Sequence, residues 1–174
     1  MANLASKLAA LGLGTALIGG GVFIAKHEGE VLGTYSDPVG MTTSCYGRAD
    51  PSHQLGQVFS PDECVAQLAE DIKKHDRQLT QVVRVQLSEQ EYQAYLSFHY
   101  NVGPGNFRSS TLLRKLNAGD RVDACIELTH ACSKTRGTCE GWTYAGGRQL
   151  PGLVTRRREE RDLCLQGALS HEAN

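Results

Sequence analysis

An uncharged apolar run opens the chain. From Leu8 to Ala25 it extends for 18 residues without a charge, between Lys7 and Lys26. As an α-helix this run would be about 27 Å long, barely enough for the hydrocarbon core of a bilayer. Five glycines weaken both its helix propensity and its membrane affinity. The pattern predicts a weakly hydrophobic membrane segment over residues 1–25, whose fate as a cleaved signal or a retained anchor stays open.

The next part of the chain has the pattern of a small β lobe. The apolar run is expected to continue as an amphipathic helix end over residues 22–32. Residues 33–60 are rich in Gly, Thr, Ser and Pro, with short β-prone pieces between them. This composition predicts a β-hairpin lobe with turns at Asp37-Pro38 and Asp50-Pro51.

Helical patterns fill the rest of the chain. Ser60 and Ser88 each precede a glutamate by three residues, which is the capping-box spacing at a helix N-terminus. Further helices are predicted to end at Gly119 and to cover residues 120–128 and 152–169. A glycine-rich break over residues 100–107 interrupts the series. The expected architecture is α+β, with a small β-hairpin lobe beside a larger helical lobe and a cleft where the two meet.

Length and charge narrow the function classes. The 174 residues leave room for about one domain, which excludes a large barrel or a two-domain dinucleotide enzyme. Eighteen basic and 19 acidic residues give a net charge of −1, which excludes a strongly basic nucleic-acid-binding protein. An enzyme is allowed by this composition but is not implied by it.

Six cysteines indicate disulfides in an oxidising compartment, because their number is even and no CxxC pair is present. The alternative is a set of buried free thiols in a cytosolic protein. Cys132 and Cys139 are expected to close a local loop, since the residues between them are poor helix formers. The sequence leaves the connectivity of the others open: Cys45, Cys64, Cys125 and Cys164.

Two carboxylates near the end of the apolar run are candidates for acid–base chemistry. Glu28 and Asp37 are separated by eight residues, and Thr43 follows Asp37 after five more. Glycoside hydrolysis uses one protonated carboxylic acid and one ionised carboxylate in this way. The alternative is two solvated carboxylates on the protein surface.

Three segments of the sequence resemble the phage-type lysozymes, glycoside hydrolase family 24. The first, residues 27–47, contains Glu-Gly, then Tyr-x-Asp, then Gly and Thr, as in the family's catalytic segment. The other two are residues 98–120 and 142–164, and the resemblance covers roughly residues 26–166 in the family's order. Within the family, the chain is similar to endolysins with an N-terminal signal-arrest-release segment.

The resemblance implies a lysozyme-like fold and a set of site residues. Residues 26–174 would form the catalytic domain, with its β lobe over about 28–60 and its helical lobe over about 61–170. Glu28 would be the general acid, and Asp37 would be the ionised partner that positions water together with Thr43. Substrate contacts are expected from Tyr35, Asn101 and Arg108. For Tyr35 and Asn101 the alternatives are a core tyrosine and a turn-capping asparagine. No metal and no organic cofactor is implied.

The function implied is that of an endolysin, an N-acetylmuramidase that hydrolyses the β-1,4 bond between N-acetylmuramic acid and N-acetylglucosamine. Its partners would be peptidoglycan, the host inner membrane through residues 8–25, and a holin, with no nucleic acid. The monomeric protein would first be exported to the inner membrane with a cytoplasmic N-terminus. It would then be released to the periplasm, and host lysis would free the phage progeny. The alternatives are a lytic transglycosylase, an inactive membrane-tethered wall-binding protein, and an enzyme with weak activity on chitin.

Further predictions concern two later segments and one aromatic residue. Residues 129–141 form an insertion relative to the family pattern, so the rim of the cleft is expected to differ here. The mixed charges of residues 156–161 predict a solvated helix face with internal ion pairs. Trp142, the single tryptophan, is expected in the core.

Overall fold

Helices make up most of the chain, and short strands interrupt them at two places. The computed structural model describes residues 2–36, 40–132, 137 and 139–172. The elements are, in chain order, α1 (Ala2–Ala10), α2 (Thr15–Glu28), β1 (Val31–Ser36), β2 (Thr42–Cys45), β3 (Arg48–Ala49), α3 (Pro61–Thr80), α4 (Glu89–Ser109), α5 (Thr111–Asn117), α6 (Arg121–His130), β4 (Tyr144–Ala145), β5 (Arg148–Gln149) and α7 (Pro151–Glu172). This content confirms the α+β prediction. The chain divides into two compact units, residues 1–74 and 75–174.

The apolar run at the N-terminus forms two helices instead of one. A turn separates α1 from α2, and Gly12 within it has a φ of +80°. Leu8, Leu13 and Ile24 are buried in the folded chain. With 14 residues, α2 is about 21 Å long. None of the helices in the described ranges has both the length and the apolar character needed to span a bilayer.

The helix expected over residues 22–32 ends earlier, at Glu28. Gly29 stops it, because its φ of 73° is outside the helical region and its N–H still donates to the Ala25 carbonyl at 3.1 Å. A strand begins at Val31, three residues beyond the helix. The turn from helix to strand therefore follows Glu28 directly.

The strands β1, β2 and β3 form an antiparallel sheet in that order. The turn predicted at Asp50-Pro51 is present directly after β3, where the His53 N–H donates to the Asp50 carbonyl at 3.2 Å. Another turn, at Tyr46 and Gly47, joins β2 to β3 and was not predicted. Gly47 supplies the positive φ of +79° that this tight turn requires. The turn predicted at Asp37-Pro38 lies outside the described residues.

The helix α3 begins at the predicted capping box. Glu63 accepts a hydrogen bond from the Ser60 N–H at 2.7 Å, and the Glu63 N–H donates back to Ser60 Oγ at 3.2 Å. Its predicted apolar stripe of Cys64, Leu68 and Ile72 is buried. A disulfide between Cys45 and Cys64 connects β2 to this helix.

The second unit is built around α4. The predicted capping box of Ser88 and Glu91 is present at its N-terminus. The predicted glycine-rich break is a kink, where Gly103 has non-helical angles (φ 80°, ψ 164°) and Pro104 follows. Element contacts join α4 to α7 and α6 to α7. A disulfide between Cys125 and Cys164 connects α6 and α7, and the predicted pair Cys132–Cys139 is present.

The charged run of α7 is partly buried, which corrects the prediction of a solvated face. Arg156, Arg157 and Glu160 are each at most 3% exposed. The predicted internal ion pairs are present: Glu160 pairs with Arg156 Nε at 3.1 Å and with Arg157 Nε at 2.8 Å. Ser97 of α4 donates to Glu160 at 2.6 Å, and the Arg157 guanidinium lies 4.9 Å from the centre of the Phe98 ring. Burial is tolerated because α4 supplies these partners.

Candidate active site

The predicted acid, Glu28, is the last residue of α2 and is half-buried. The segment before it packs into the first unit through Ile24, which is fully buried. Gly29 then turns the chain sharply toward β1. The Glu28 side chain is therefore presented from the rigid end of a helix, which is a better support for a reacting group than a loop.

The Glu28 carboxyl group lies against the backbone of the β2–β3 turn. A Cβ atom built on Gly47 would be 2.9 Å from Glu28 Oε2 and 3.4 Å from Cδ. The distance to Oε2 is shorter than ordinary van der Waals contact, and the distance to Cδ is at the lower limit of such contact. Only a glycine at position 47 leaves room for the carboxyl group as it is placed here.

Thr43 lies on the central strand of the sheet. It is register partner to Tyr35 on β1 and to Ala49 on β3. Its side chain is buried, and its hydroxyl donates to the Met41 carbonyl at 3.3 Å. Such a hydroxyl can still accept a hydrogen bond through its oxygen. The register thus brings two of the predicted site residues, Thr43 and Tyr35, to the same place on the sheet.

Tyr35 is 40% exposed, so the alternative of a core tyrosine is wrong. Asp37 lies outside the described residues. In the sequence it follows Ser36, the last residue of β1, and Ser36 is paired with Thr42.

Two contacts that sequence reasoning missed involve the strand β2, which carries Thr43, and the turn that follows it. The Tyr46 hydroxyl donates to Glu30 Oε1 at 3.0 Å, and burial together with this carboxylate raises the pKa of Tyr46 to about 12. Ser44 is buried beside His53, with 3.3 Å between Ser44 Oγ and His53 Nδ1. Both contacts join the strand β2 and its turn to neighbouring segments of the same unit.

Asn101 lies in the second unit and lines a cavity of about 440 Å³. It is exposed on α4, just before the kink at Gly103. The cavity is also lined by the aromatic side chains of Trp142 and Tyr144. Trp142 is half-buried and packs edge-on against Phe98 at 5.4 Å, so it belongs to the core on one side and to this cavity on the other.

Arg108 does not share the cavity of Asn101. It lines a different cavity of about 900 Å³ in the same unit. The residues predicted to contact substrate are therefore distributed over three places: Tyr35 on the sheet, and Asn101 and Arg108 in separate cavities. Across the described residues, no group of three or more His, Cys, Asp or Glu side chains is arranged to hold a metal ion.

Comparisons with a family model and with related sequences all indicate similarity to phage lysozymes and endolysins. The family model described as phage lysozyme matches residues 25–160. The SAR-endolysin of bacteriophage PS119 is 44% identical over 140 residues, which are 80% of this chain and 77% of that protein. The SAR-endolysin of Enterobacteria phage P21 is 42% identical over 140 residues, covering 80% of this chain and 78% of that protein.

Solved structures give the same fold. A mutant of P22 lysozyme superposes with a TM-score of 0.66 at 29% identity, covering 84% of this chain and 94% of that one. The active form of the P1 phage endolysin Lyz gives a TM-score of 0.74 at 20% identity, covering 95% and 93%. Its secreted inactive form gives 0.55 at the same identity, covering 85% and 94%. Both forms of that endolysin therefore share the fold of this chain.

Proposed function

Since this chain belongs to the phage lysozyme family, we propose that it is a peptidoglycan-degrading endolysin that acts as an N-acetylmuramidase. The bond cut would be the β-1,4 linkage between N-acetylmuramic acid and N-acetylglucosamine. The observation that carries this proposal is the Glu28 carboxyl group, held at the end of α2 against Gly47. Glu28 is also the glutamate of the segment that resembles the family's catalytic motif.

In the proposed reaction, Glu28 gives its proton to the glycosidic oxygen as the bond from that oxygen to the anomeric carbon breaks. A water molecule attacks the anomeric carbon from the opposite face and loses its proton to the ionised Asp37. Thr43 orients this water with its hydroxyl. The position of Thr43 on the central strand supports that role, because a buried side chain on a paired strand is held in place.

Sugar contacts are proposed for Tyr35 and Asn101. The exposed ring of Tyr35 next to Thr43 is suited to packing against a sugar face. Asn101 offers both a donor and an acceptor to sugar hydroxyls and lies in a cavity with two aromatic side chains. The sequence also predicts a sugar contact for Arg108. This residue lines a separate cavity, whose lining includes two more arginines, Arg84 and Arg114.

We further propose that residues 1–25 control the enzyme from the host inner membrane, with residues 26–174 as the catalytic part. Leu8 and Ile24 are fully buried in the folded chain, and a Cβ on Gly21 would meet Ile72 Cδ1 at 2.6 Å. These contacts cannot form while the same residues lie in a bilayer. The tethered protein would then lack the packed α2 that presents Glu28, and it would be inactive.

The proposed course starts with export to the inner membrane, with the N-terminus in the cytoplasm. Release to the periplasm follows when a holin collapses the membrane potential, and the free protein acts there as a monomer. The names of the relatives support this course, because both are SAR-endolysins. Lysis of the host cell would release the phage progeny.

The experiment that tests the proposed acid compares Glu28→Gln with Glu30→Gln. Removing the acid should lower the rate of clearing of purified peptidoglycan by about a hundredfold to ten-thousandfold. Glu30 lies two residues away, and a glutamine there can still accept the hydrogen bond from Tyr46. The Glu30→Gln control should therefore keep most of the activity. Equal rates in both variants would contradict the assignment of Glu28.

The alternative functions predict other results in the same assay. A lytic transglycosylase would also clear peptidoglycan but would leave anhydro-muramic acid ends, and Asp37 would have no role in it. An inactive wall-binding protein would bind peptidoglycan without clearing it, and both variants would behave like the wild type. Activity on chitin oligomers is measured in parallel to define the substrate range.

A further inference from the structure

The cavity of about 900 Å³ that contains Arg108 lies between the loop after α3 and the helices α4 and α5. Three of its lining residues are arginines, one from each of these segments: Arg84, Arg108 and Arg114. The other described lining residues are polar or apolar, and none of them is a carboxylate: Gln81, Val82, Ser109, Ser110, Thr111, Leu113, Asn117 and Ala118. In a chain with a net charge of −1, this cavity is a local concentration of positive charge.

The three arginines are exposed and are not neutralised within the described part of the chain. None of the ion pairs found there includes Arg84, Arg108 or Arg114. The contrast is with Lys115, next to Arg114, which pairs with Glu127 at 2.8 Å and with Asp123 at 3.6 Å. The neighbouring cation is thus paired within the fold, whereas the three arginines that line this cavity are in none of these ion pairs.

The frame of the cavity is fixed by hydrogen bonds. Asn117 Oδ1 accepts from the Arg84 N–H at 2.8 Å, and Asn117 Nδ2 donates to the Val82 carbonyl at 2.9 Å. These two hydrogen bonds join the loop after α3 to α5. Ser110 Oγ accepts from the Leu113 N–H at 3.0 Å and donates to the Phe107 carbonyl at 2.7 Å, which fixes the junction of α4 and α5. A frame that is ordered in advance lowers the entropy cost of binding a ligand.

We propose that this cavity binds a phosphate group. Guanidinium groups form paired hydrogen bonds with phosphate and carboxylate oxygens. Three of them match a phosphate better than a carboxylate, because a phosphate monoester offers more charge and three acceptor oxygens. The volume leaves space for the alcohol part of a phosphate ester beside the phosphate itself. Arg108, for which the sequence predicts a sugar contact, would also bind the phosphate group in this proposal.

The site does not depend on the proposed lysozyme activity and is tested by binding. The full chain is titrated with inorganic phosphate in a calorimeter at low ionic strength. The same titration is done with the triple variant Arg84→Gln/Arg108→Gln/Arg114→Gln. Arg148→Gln serves as the matched control, since Arg148 is exposed on β5 and does not line this cavity. Circular dichroism verifies that each variant is folded, and the single variants replace the triple one if it is not.

A second arm separates a lipid headgroup from free phosphate as the source. Flotation is measured with vesicles of phosphatidylglycerol and with vesicles of phosphatidylcholine alone. Residues 8–25 are the same in all proteins, so their contribution to vesicle binding cancels in the comparison. A loss of flotation on phosphatidylglycerol in the triple variant only would assign the lipid headgroup. Phosphate binding without any such loss would assign a soluble phosphate ester.

The expected result is saturable phosphate binding by the wild type and by Arg148→Gln, weakened at least about tenfold in the triple variant. Vesicle binding that depends on the three arginines supports the site as well. The proposal is overturned if neither phosphate nor vesicle binding depends on these arginines. It is also overturned if glutamate, as a carboxylate probe at equal ionic strength, binds as tightly as phosphate.

Discussion

At the scale of single residues, the position of the Glu28 carboxyl group depends on a missing side chain. Gly47 has a φ of +79°, and a Cβ atom there would be 2.9 Å from Glu28 Oε2. Gly56 has a φ of +88° with no atom within 4 Å of its Cβ position. The two glycines therefore share the backbone requirement, but only Gly47 has the contact with the acid.

The first prediction follows from this difference. Alanine at either position should destabilise the protein by about 1–2 kcal/mol, because a left-handed φ is unfavourable for L-residues. Only Gly47→Ala should also lower kcat, by about tenfold or more, since the new methyl group displaces the carboxyl group. Urea unfolding and peptidoglycan clearing measure the two effects separately. A kcat for Gly47→Ala equal to that of Gly56→Ala would show that the contact does not position Glu28.

The sequence identifies Glu28 and Thr43 as candidates but not Gly47 or Tyr46. The first two belong to a local motif whose residue types and spacing have a chemical meaning by themselves. The contact between Glu28 and Gly47 exists only after the sheet has folded against the end of α2. The hydrogen bond from Tyr46 to Glu30 also joins separate segments, and no local sequence pattern predicts it.

At the scale of elements, a pair of histidines joins α3 to α4. The distance between His75 Nδ1 and His99 Nδ1 is 2.8 Å, so one ring donates to the other. His99 is 1% exposed and also packs against Phe107 at 5.1 Å. Burial lowers the pKa of His99 to about 4, because the charged ring loses its hydration.

The corresponding prediction concerns acid stability. In the unfolded chain a histidine titrates near 6.5, so below that pH the unfolded state binds a proton that the folded state resists. The free energy of unfolding should fall by up to about 1.4 kcal/mol per pH unit between about pH 6.5 and pH 4. In His99→Gln most of this fall should be absent, when the free energy of unfolding at each pH is compared with that of the same variant at pH 7. Urea titrations between pH 7 and pH 4 measure it, and an unchanged slope in the variant would exclude His99 as its source.

The helices were predictable from the sequence, but part of the strand structure was not. Capping boxes at Ser60 and Ser88 are local signals and mark the starts of α3 and α4. The Asp50-Pro51 pair correctly predicted a turn, but the tight turn between β2 and β3, which uses Gly47, was not predicted. The hairpin of β4 and β5 has a Gly146-Gly147 turn, a signal that the sequence did contain.

The buried charges of α7 show the limit of a local pattern in another way. Arg156, Arg157 and Glu160 have the spacing of surface ion pairs, three and four residues apart. Their burial depends on Ser97 and Phe98 of α4, whose position relative to α7 is a property of the helix packing. Sequence spacing alone does not contain that information.

At the scale of the whole molecule, the apolar run of residues 8–25 has to meet two sets of requirements, those of a membrane segment and those of a protein core. It is uncharged enough to predict a membrane segment, yet in the folded chain Leu8, Leu13 and Ile24 are core residues. Gly21 serves the folded form, because a Cβ there would be 2.6 Å from Ile72 Cδ1 and 3.0 Å from Leu8 Cδ1. Glycine thus keeps the run weakly hydrophobic and allows α2 to pack closely.

A valine at Gly21 should affect both forms. We expect Gly21→Val to destabilise the folded protein by about 1–3 kcal/mol through overpacking and to delay lysis by holding the segment in the bilayer. Gly14→Val adds the same apolar surface where no atom lies within 4 Å, so it should delay lysis with little effect on packing. Lysis onset in a host culture and thermal unfolding of the purified proteins measure the two effects. Equal unfolding temperatures for both variants would contradict the proposed packing role of Gly21.

The most direct test of the central claim is the chemistry of the product. The full chain is incubated with purified peptidoglycan in water enriched in oxygen-18, and the released fragments are analysed by mass spectrometry. Hydrolysis with Glu28 as the acid predicts muramic acid reducing ends that each carry one heavy oxygen, and their loss in Glu28→Gln. Anhydro-muramic acid ends without heavy oxygen would contradict the account, because the water assigned to Asp37 and Thr43 would then not take part in the reaction.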